Sequence, residues 1–275
     1  MNILIVIVNF NDSFVTLNCI ESVNKSKNHV NIDLCIVDNA SDKENVQILK
    51  NANLINCNII FSNINLGYFP GLNLGLSHYN LSSYDYVIVG NNDIIFRGNF
   101  FNILSEKQYS DKYYCIAPNI IAIDGYHQNP HEVIKIPLMR QFLYKLYFSS
   151  FILGNLMFNL QQLIKKIRNR NNRVKNSDNE CEIYLGYGAL YILTKSFFVN
   201  NQLLEYPHFL MGEEVYLSYQ VYKTGGFILY DPLLEVSHLE HSSVSKMSSR
   251  KMYDITKESF KGYSQLFNKI NFKNK

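Results

Sequence analysis

Continuous apolar runs alternate with polar, turn-rich segments along the first third of the chain. The run from Ile3 to Val8 is almost entirely β-branched, which is typical of a central strand covered on both faces. Further runs follow at Ile32 to Val37, Ile59 to Ser62 and Tyr84 to Val89. We expect each of these four runs to form a buried strand.

Helices are predicted between these strands. Asp12 or Ser13 offers an N-cap for a helix that extends to about Val23, and segments 46–51 and 72–79 form the next two helices. Strands and helices that alternate at such short intervals form a mostly parallel sheet with right-handed crossovers. The predicted fold class is therefore α/β, with a Rossmann-like sheet flanked by helices.

Each predicted strand ends in polar residues, which begin at Asn9, Asp38, Asn63 and Asn91. In sheets of this kind, ligands bind outside the carboxyl ends of the strands. We therefore expect the four polar ends to open onto one crevice.

The segment 63–75 follows the third strand and combines three glycines with short amide side chains. Such a sequence supplies the backbone freedom that wraps a polar ligand. A glycine at every fourth position also fits a helix packed tightly on a sheet, and this alternative applies to Gly71 and Gly75.

Composition narrows the class of protein. The 275 residues include 47% hydrophobic residues and carry a formal net charge of +3, which is too slight to indicate a nucleic-acid partner. The five scattered cysteines form no CxxC pair, which predicts reduced core thiols in a cytosolic protein without structural zinc.

The segment from Met139 to Lys175 differs from the rest, because large apolar side chains are followed by a cluster of cations. Its uncharged part, 146–163, contains too many Ser, Asn and Gln residues for a membrane span, which needs ~20 predominantly apolar residues. Two predictions remain open: a helical hairpin over the active site or a dimer interface, or an in-plane helix whose basic end meets anionic lipid. The cations are Lys165, Lys166, Arg168, Arg170, Arg173 and Lys175.

The second half predicts fewer regular elements. Gly225 to Pro232 indicates a helix stop, a strand and a turn, and Val236 to His238 a last short strand. Residues 245–275 predict a basic amphipathic helix, for which a solvated surface helix is the default interpretation.

Several acidic residues are candidates for chemistry. Asp93, at the mouth of a strand, could hold Mg²⁺ or Mn²⁺, although Asn-Asn-Asp could equally be a turn. His238 could be a further metal ligand or only a histidine at a strand end. Glu213 and Glu214 could supply a general base, or could simply be first-turn acids favoured by the helix dipole.

These segments together match one known family. The matching segments are Ile5 to Asn11, Ile36 to Ser41, Asn65 to Tyr68 with Gly71, Asn73 and Gly75, Asn91 to Asp93, Gly186 to Ala189, Gly212 to Val215, and His238. In this order the set resembles the family 2 glycosyltransferases, inverting enzymes with a GT-A-type fold, and in particular rhamnosyltransferase-like members of polysaccharide and O-antigen assembly. The resemblance extends from about residue 3 to 243.

The resemblance implies roles for individual residues. It places a divalent metal, Mg or Mn, on Asp93 with His238, and the catalytic base at Glu214 beside Glu213. The chain departs from the family pattern in three ways. Glu214 replaces the aspartate that usually serves as the catalytic base, Tyr216 stands where an acidic residue is common, and Asn-Asn-Asp replaces Asp-x-Asp. The implied donor-binding residues are Asn9, Phe10, Asn11, Asp38, Asn65, Gly67 and Asn92.

The implied activity is transfer of a hexosyl or deoxyhexosyl group from a nucleotide-diphosphate donor to a hydroxyl of a lipid-linked glycan, in lipopolysaccharide or capsule biosynthesis. Residues 1–243 would form the transferase domain, with a helical, membrane-associating insertion at 138–176, and residues 244–275 a basic amphipathic tail. The implied location is cytoplasmic and peripheral, on the inner face of the cell membrane, in contact with anionic lipid.

Two alternatives to this activity remain. A sugar-phosphate nucleotidyltransferase would show a Gly-rich, basic signature near the first strand, whereas Asn9 to Ser13 contains no Gly, Lys or Arg. A catalytically degenerate subunit that serves as a scaffold would be consistent with the Asn-Asn-Asp and Glu-Glu departures. A nicotinamide-dependent oxidoreductase is disfavoured because no GxGxxG follows the first strand.

Overall fold

The computed structural model describes residues 1–27, 29–52, 54, 56–167, 178–240 and 249–272. The strands within these residues are β1 (Asn2–Asn9), β2 (Asn31–Asn39), β3 (Cys57–Ser62), β4 (Tyr86–Asn91), β5 (Ile94–Phe96), β6 (Tyr113–Ala122), β7 (Cys181–Glu182), β8 (Leu190–Thr194) and β9 (Phe227–His238). The helices are α1 (Ser13–Ser26), α2 (Lys43–Asn51), α3 (Tyr68–Leu76), α4 (Phe100–Glu106), α5 (Leu138–Tyr147), α6 (Phe151–Ile167), α7 (Lys195–Asn200), α8 (Glu213–Lys223) and α9 (Ser249–Tyr263).

In the described residues the strands form one mixed sheet in the order β3-β2-β1-β4-β8-β6-β9-β5, with β7 also paired to β9. The four strands predicted from the apolar runs are present and parallel to one another. Antiparallel pairing begins where β8 joins β4. The predicted parallel sheet is thus confirmed for the first half of the fold, and the second half is mixed.

The central strand β1 shows why the sheet needs helices on both faces. Leu4 and Val6 point into one core cluster, and Ile3, Ile5 and Ile7 point into the other, all with no exposed surface. Period-2 alternation puts neighbouring side chains on opposite faces. An unbroken apolar run therefore forms a strand that is buried on both faces of the sheet.

Two predicted element boundaries were wrong. Helix α3 begins at Tyr68 rather than Leu72, directly after Gly67 with φ +88°. The predicted turn at Pro232 lies inside β9, where a register shift against β6 occurs between Asp231 and Glu235. A β-bulge of this kind tolerates a proline, which cannot donate to the ladder.

The C-terminal segment belongs to the core. Phe260 of α9 and the residues Leu266, Phe267 and Ile270 beyond it are all buried in the cluster that covers one face of the sheet. The default interpretation of a solvated surface helix was therefore wrong for the described part of this segment. Residues 241–248 and 273–275 of the predicted tail lie outside the described residues.

The region predicted to be helical and apolar forms α5 and α6. Four of its predicted cations, Arg168, Arg170, Arg173 and Lys175, lie outside the described residues. No helix in the described parts of the chain is long and apolar enough to cross a membrane. All five cysteines are free thiols, and three of them are fully buried.

Candidate functional site

A cavity of about 360 Å³ opens at the carboxyl ends of the parallel strands. Val8, Asn39 and Asn91 reach it from the ends of β1, β2 and β4. The segment 65–68 and the first residues of α8 complete its walls. The crevice predicted from the polar strand ends is therefore present.

Asp93 and His238 meet at one wall of this cavity. The antiparallel pairing of β5 with β9 sets Ile94 opposite His238, which brings the preceding Asp93 beside the imidazole. Nε2 of His238 lies 3.2 Å from Oδ1 of Asp93, and the two side chains are 7% and 2% exposed. Even so, Nε2 and both carboxylate oxygens of Asp93 are buried without a hydrogen bond.

A chain of hydrogen bonds determines which nitrogen of His238 carries the proton. Nε2 of Gln128 donates to the carboxylate of Glu240 at 3.0 Å, so Oε1 of Gln128 must face His238. This oxygen lies 2.8 Å from Nδ1 of His238 and can only accept. In the neutral imidazole the proton is therefore on Nδ1, and the lone pair of Nε2 faces the carboxylate of Asp93.

Two electron-pair donors that face each other at 3.2 Å, buried and without hydrogen bonds, fit a bound cation. Neighbouring ligands of an octahedral ion at ~2.1 Å are about 3 Å apart, which suits this pair. A histidine ligand oriented by a hydrogen bond at its other nitrogen is the usual arrangement in metal sites. No third His, Cys, Asp or Glu completes a metal-binding cluster within the described residues, so the other ligands would come from a bound molecule or water.

Glu213 and Glu214 begin α8 at the cavity, after Gly212 in the left-handed region. Glu213 is 6% exposed, and its Oε1 accepts a hydrogen bond from the amide of Met211 at 3.0 Å. Burial, followed by the negative charge of Glu214, raises the pKa of Glu213 from 4.5 to about 8. Glu213 is therefore a carboxyl group that holds its proton near neutral pH.

Glu214 packs against the backbone of Gly188. A Cβ atom at position 188 would lie 2.8 Å from Oε1 of Glu214, so a larger residue there would displace the carboxylate from this position. The hydroxyl of Tyr68 donates to the carbonyl of Gly188 at 2.9 Å and fixes the segment on its other side. The glycine at position 188 thus makes room for a carboxylate of the cavity.

A second polar cluster lies behind the ends of β1 and β2, and its side chains form hydrogen bonds within the protein. Nδ2 of Asn9 donates to Asp38 at 2.7 Å, and Oδ1 of Asn9 accepts from the hydroxyl of Thr16 at 2.7 Å. The other oxygen of Asp38 accepts from the amide of Ser41 at 3.1 Å. Nδ2 of Asn92 donates to Thr16 at 2.9 Å and ties the turn after β4 to α1.

The loop before α3 is held by Asn39, which sequence analysis did not select as a site residue. Its amide nitrogen donates to Oδ1 of Asn65 and to the carbonyl of Gly67, and its oxygen accepts from the amide of Leu66. Gly67 is required because a Cβ there would lie 2.1 Å from the carbonyl oxygen of Phe209. The signal for Asn39 was its position directly after Asp38, at the end of a buried strand.

The structure brings most of the predicted site residues together. The predicted residues that line the cavity are Phe10, Asn65, Gly67, Asn92, Asp93, Glu213, Glu214 and His238. Asn9, Asn11 and Asp38 do not line it, since Asn9 and Asp38 are fully buried and Asn11 bonds the segment 41–42. Their contact with a donor therefore stays a prediction.

The cavity residues that were not predicted include Tyr68, Tyr187 and Glu240. Tyr187 lies between two glycines, and its ring is 6.1 Å from that of His238, centroid to centroid. Burial and then Glu214 raise the pKa of Tyr187 to about 12, so its hydroxyl stays protonated near neutral pH. Glu240 had no distinguishing sequence signal, because its role depends on Gln128, which is far from it in the chain.

Comparison with known proteins agrees with this architecture. A family model described as glycosyl transferase family 2 matches residues 4–178. A comparison with curated proteins found no match. Among solved structures, the chain is similar to GalNAc-T7 crystallised with UDP, GalNAc and Mn²⁺, with a TM-score of 0.62 and 18% sequence identity over 98% of this chain and 48% of that one.

This chain thus spans about half the length of GalNAc-T7. It is also similar to residues 1–349 of S. aureus TarS in complex with UDP-GlcNAc, with a TM-score of 0.59 and 11% identity over 99% of this chain and 68% of that one. At identities this low the structural similarity shows a shared fold and no more, and it confirms the predicted GT-A-type fold.

Proposed function

Because the chain belongs to glycosyl transferase family 2, we propose that it transfers a hexosyl or deoxyhexosyl group from a nucleoside-diphosphate sugar to a hydroxyl of a glycan acceptor, with inversion at the anomeric carbon. The observation that carries this proposal is the cavity itself. It has an unsatisfied pair, Asp93 and His238, on one wall and two carboxyl groups, Glu213 and Glu214, on another.

The charges of the cavity support a divalent metal, Mg or Mn, as cofactor. Asp93, Glu214 and Glu240 line it together with the protonated Glu213, and none of the described lining residues is Lys or Arg. A diphosphate would enter this acidic environment without a cationic side chain to neutralise it. Asp93 and His238 would hold the cation, which when bound stabilises the negative charge that develops on the leaving diphosphate.

The two glutamates have different environments, which divides their proposed roles. Glu214 is the proposed base because it packs on open backbone at Gly188 and faces the cavity, where it would accept the proton of the attacking hydroxyl. Glu213 is bonded to Met211 and holds the turn before α8, with its pKa raised by burial. As a protonated group it would orient the site without competing for that proton.

The asparagine-rich loops would bind the nucleotide and sugar. Asn65 and Asn92 present amide groups at the cavity, and Phe10 offers a ring at its edge. Behind them, the closed cluster around Asn9 would keep the ends of β1 and β2 in place. Asp38 is kept as the residue proposed to accept from a ribose or base, and it would have to exchange a bond of this cluster to do so. The proposed acceptor is a lipid-linked glycan of surface polysaccharide, so that the protein works on the inner face of the cell membrane.

The test is binding and turnover of the purified chain and of Glu214→Gln. Thermal unfolding with UDP-, GDP- and dTDP-sugars, with and without Mn²⁺, identifies the donor, because a ligand of the native state raises apparent stability. Glu214→Gln should bind that donor with unchanged affinity and lose about 10²- to 10⁴-fold in transfer rate.

The matched control is Glu205→Gln, an exposed glutamate outside the cavity that should leave turnover unchanged. Near-normal turnover in Glu214→Gln would remove Glu214 from the role of base. Failure of every donor to bind, with or without metal, would instead favour a non-catalytic subunit.

A further inference from the structure

Helices α5 and α6 expose apolar side chains in regular stripes. In α5 the side chains of Leu138, Met139, Phe142, Leu143 and Leu146 are exposed, at spacings that place them on one side of a helix. The polar Gln141 is buried instead, with its amide bonded to the carbonyl of Ile136. The apolar side of α5 is therefore exposed while a polar residue is buried, the opposite of a helix that covers a core.

Helix α6 continues the pattern. Ile152, Leu156, Leu160 and Leu163 recur at helical spacing and are exposed, with Ile152 80% exposed. Ten of the 21 large hydrophobic side chains exposed in the described residues lie in these two helices. Exposed apolar area concentrated in this way marks an interaction surface rather than the scattered hydrophobic residues of an ordinary surface.

The other side of the two helices is anchored to α9. The ring of Phe148 lies 4.6 Å from that of Phe260, and the ring of Phe151 lies 5.2 Å from that of Tyr253. Gly154 allows α6 to approach the end of α5, since a Cβ there would lie 2.8 Å from the carbonyl oxygen of Tyr147. The exposed stripes are thus presented by helices whose position is fixed by aromatic packing.

The charge of this part of the sequence indicates which kind of partner binds the exposed apolar stripes. Residues 133–177 contain nine of the 26 Lys and Arg residues and none of the 23 Asp and Glu residues. The rest of the chain is therefore acidic overall, although the whole carries only +3. An apolar face within a segment that carries only positive charge matches an anionic lipid surface, where aliphatic side chains enter the acyl boundary and cations meet headgroups.

A second copy of this chain matches the surface poorly. Two such segments, each with nine cations and no acidic residue in its sequence, would repel one another. The stripes are also mainly Leu, Ile and Met, whereas single-stranded nucleic acid is bound by stacking on aromatic rings.

We propose that the exposed apolar stripes of α5 and α6 form a docking surface for the anionic face of a lipid bilayer, in which the two helices lie in the plane of the interface. This proposal rests on the proposed function in one respect: a lipid-linked acceptor would explain why the protein binds a membrane. Lipid binding is measured without donor or acceptor, so its failure would leave the transferase proposal intact.

The test is co-sedimentation of the full chain with vesicles of phosphatidylcholine alone or with about a third phosphatidylglycerol, at low and high salt. The test variant is Ile152→Asn with Leu156→Asn, two exposed neighbours on α6, and the control is Val199→Asn, a 76% exposed residue of α7. We expect the wild type and the control to bind anionic vesicles, less at high salt, and the test variant to bind roughly tenfold or more weakly.

Donor binding and thermal unfolding of the test variant should match the wild type, since both substituted side chains are exposed. Equal vesicle binding by the test variant, or no binding by the wild type at low salt, overturns the proposal. Sedimentation velocity without lipid tests whether a second copy of this chain binds the stripes instead. If the wild type is a dimer and the test variant is a monomer, the stripes are a dimer interface and the proposal is overturned.

Discussion

The two sides of the cavity treat their buried polar groups in opposite ways. On the side of β1 and β2, Asn9 and Asp38 are fully buried, and their polar atoms are bonded to one another and to α1. On the side of β9 and α8, Asp93 and His238 are equally buried but leave three polar atoms without a hydrogen bond. The first side is complete as folded, and the second is the side that a ligand would complete under the proposed function.

This difference teaches how the fold prepares a site. Hydrogen bonds made within the protein fix the strand ends and lower the free energy of the folded state. Groups left unpaired cost free energy in the folded protein, and they are retained where a bound group repays that cost. Substitutions on the two sides should therefore change stability in opposite directions.

The largest expected effect comes from Glu213→Gln. Because the folded-state pKa of Glu213 is raised from 4.5 to about 8, the native state holds a proton that the unfolded state releases. The stability contributed by this group is fully present below pH 4.5 and is lost as the pH rises through 8. Glutamine mimics the protonated form, so the variant should be more stable than the wild type at pH 8, by on the order of 4 kcal/mol.

Urea unfolding of both proteins at pH 5 and pH 8 measures this effect. The matched control is Glu44→Gln, which also lies in the first turn of a helix but is exposed on α2. Its substitution should change stability by less than about 0.5 kcal/mol at either pH. If Glu213→Gln loses as much stability as the wild type between the two pH values, then the buried proton is not on Glu213.

Asn9→Ala tests the complete side of the cavity. Removing the amide deprives Oδ1 of Asp38 of its 2.7 Å donor and leaves the hydroxyl of Thr16 with only the longer 3.3 Å bond that it donates to the carbonyl of Asp12. The expected loss is about 3 kcal/mol of unfolding free energy, because a buried group left unpaired costs its full desolvation penalty. Asn24→Ala, at an exposed position of α1, is the control and should be nearly neutral. A neutral Asn9→Ala would mean that the cluster adds nothing to stability.

The sequence predicted the first half of the fold well, for a local reason. The β-branched run of β1 and the polar residues after each strand are signals carried by neighbouring residues, and they locate both the parallel sheet and the crevice. The second half depends on distant contacts. No local signal shows that Pro232 lies in a bulge opposite Pro118, or that Phe267 packs in the core.

The candidate site divides in the same way. Asp93, His238, Glu213 and Glu214 could be selected because their residue types and positions in the pattern carry information. Gln128 could not, since its function comes from joining His238 to Glu240 across more than a hundred residues. The exclusion of Asn9 from the cavity was equally hidden, because burial depends on the packing of α1 over the strand ends.

Asp93→Asn tests the incomplete side and has the smallest expected effect on stability. The variant removes a buried charge that lacks a hydrogen bond, and its new amide can donate to Nε2 of His238, 3.2 Å from the replaced oxygen. Without metal it should therefore be more stable than the wild type by about 1–2 kcal/mol, a rise of a few degrees in Tm.

Thermal unfolding in EDTA, and in Mn²⁺ with the donor nucleotide, measures both halves of this prediction. The wild type should gain stability when metal and nucleotide are added, whereas Asp93→Asn should gain much less, because the cation loses a charged ligand. Asp85→Asn, outside the cavity, is the control and should keep the full gain. If Asp93→Asn is less stable than the wild type in EDTA, then Asp93 stabilises the fold by itself, and the contrast between the two sides of the cavity is lost.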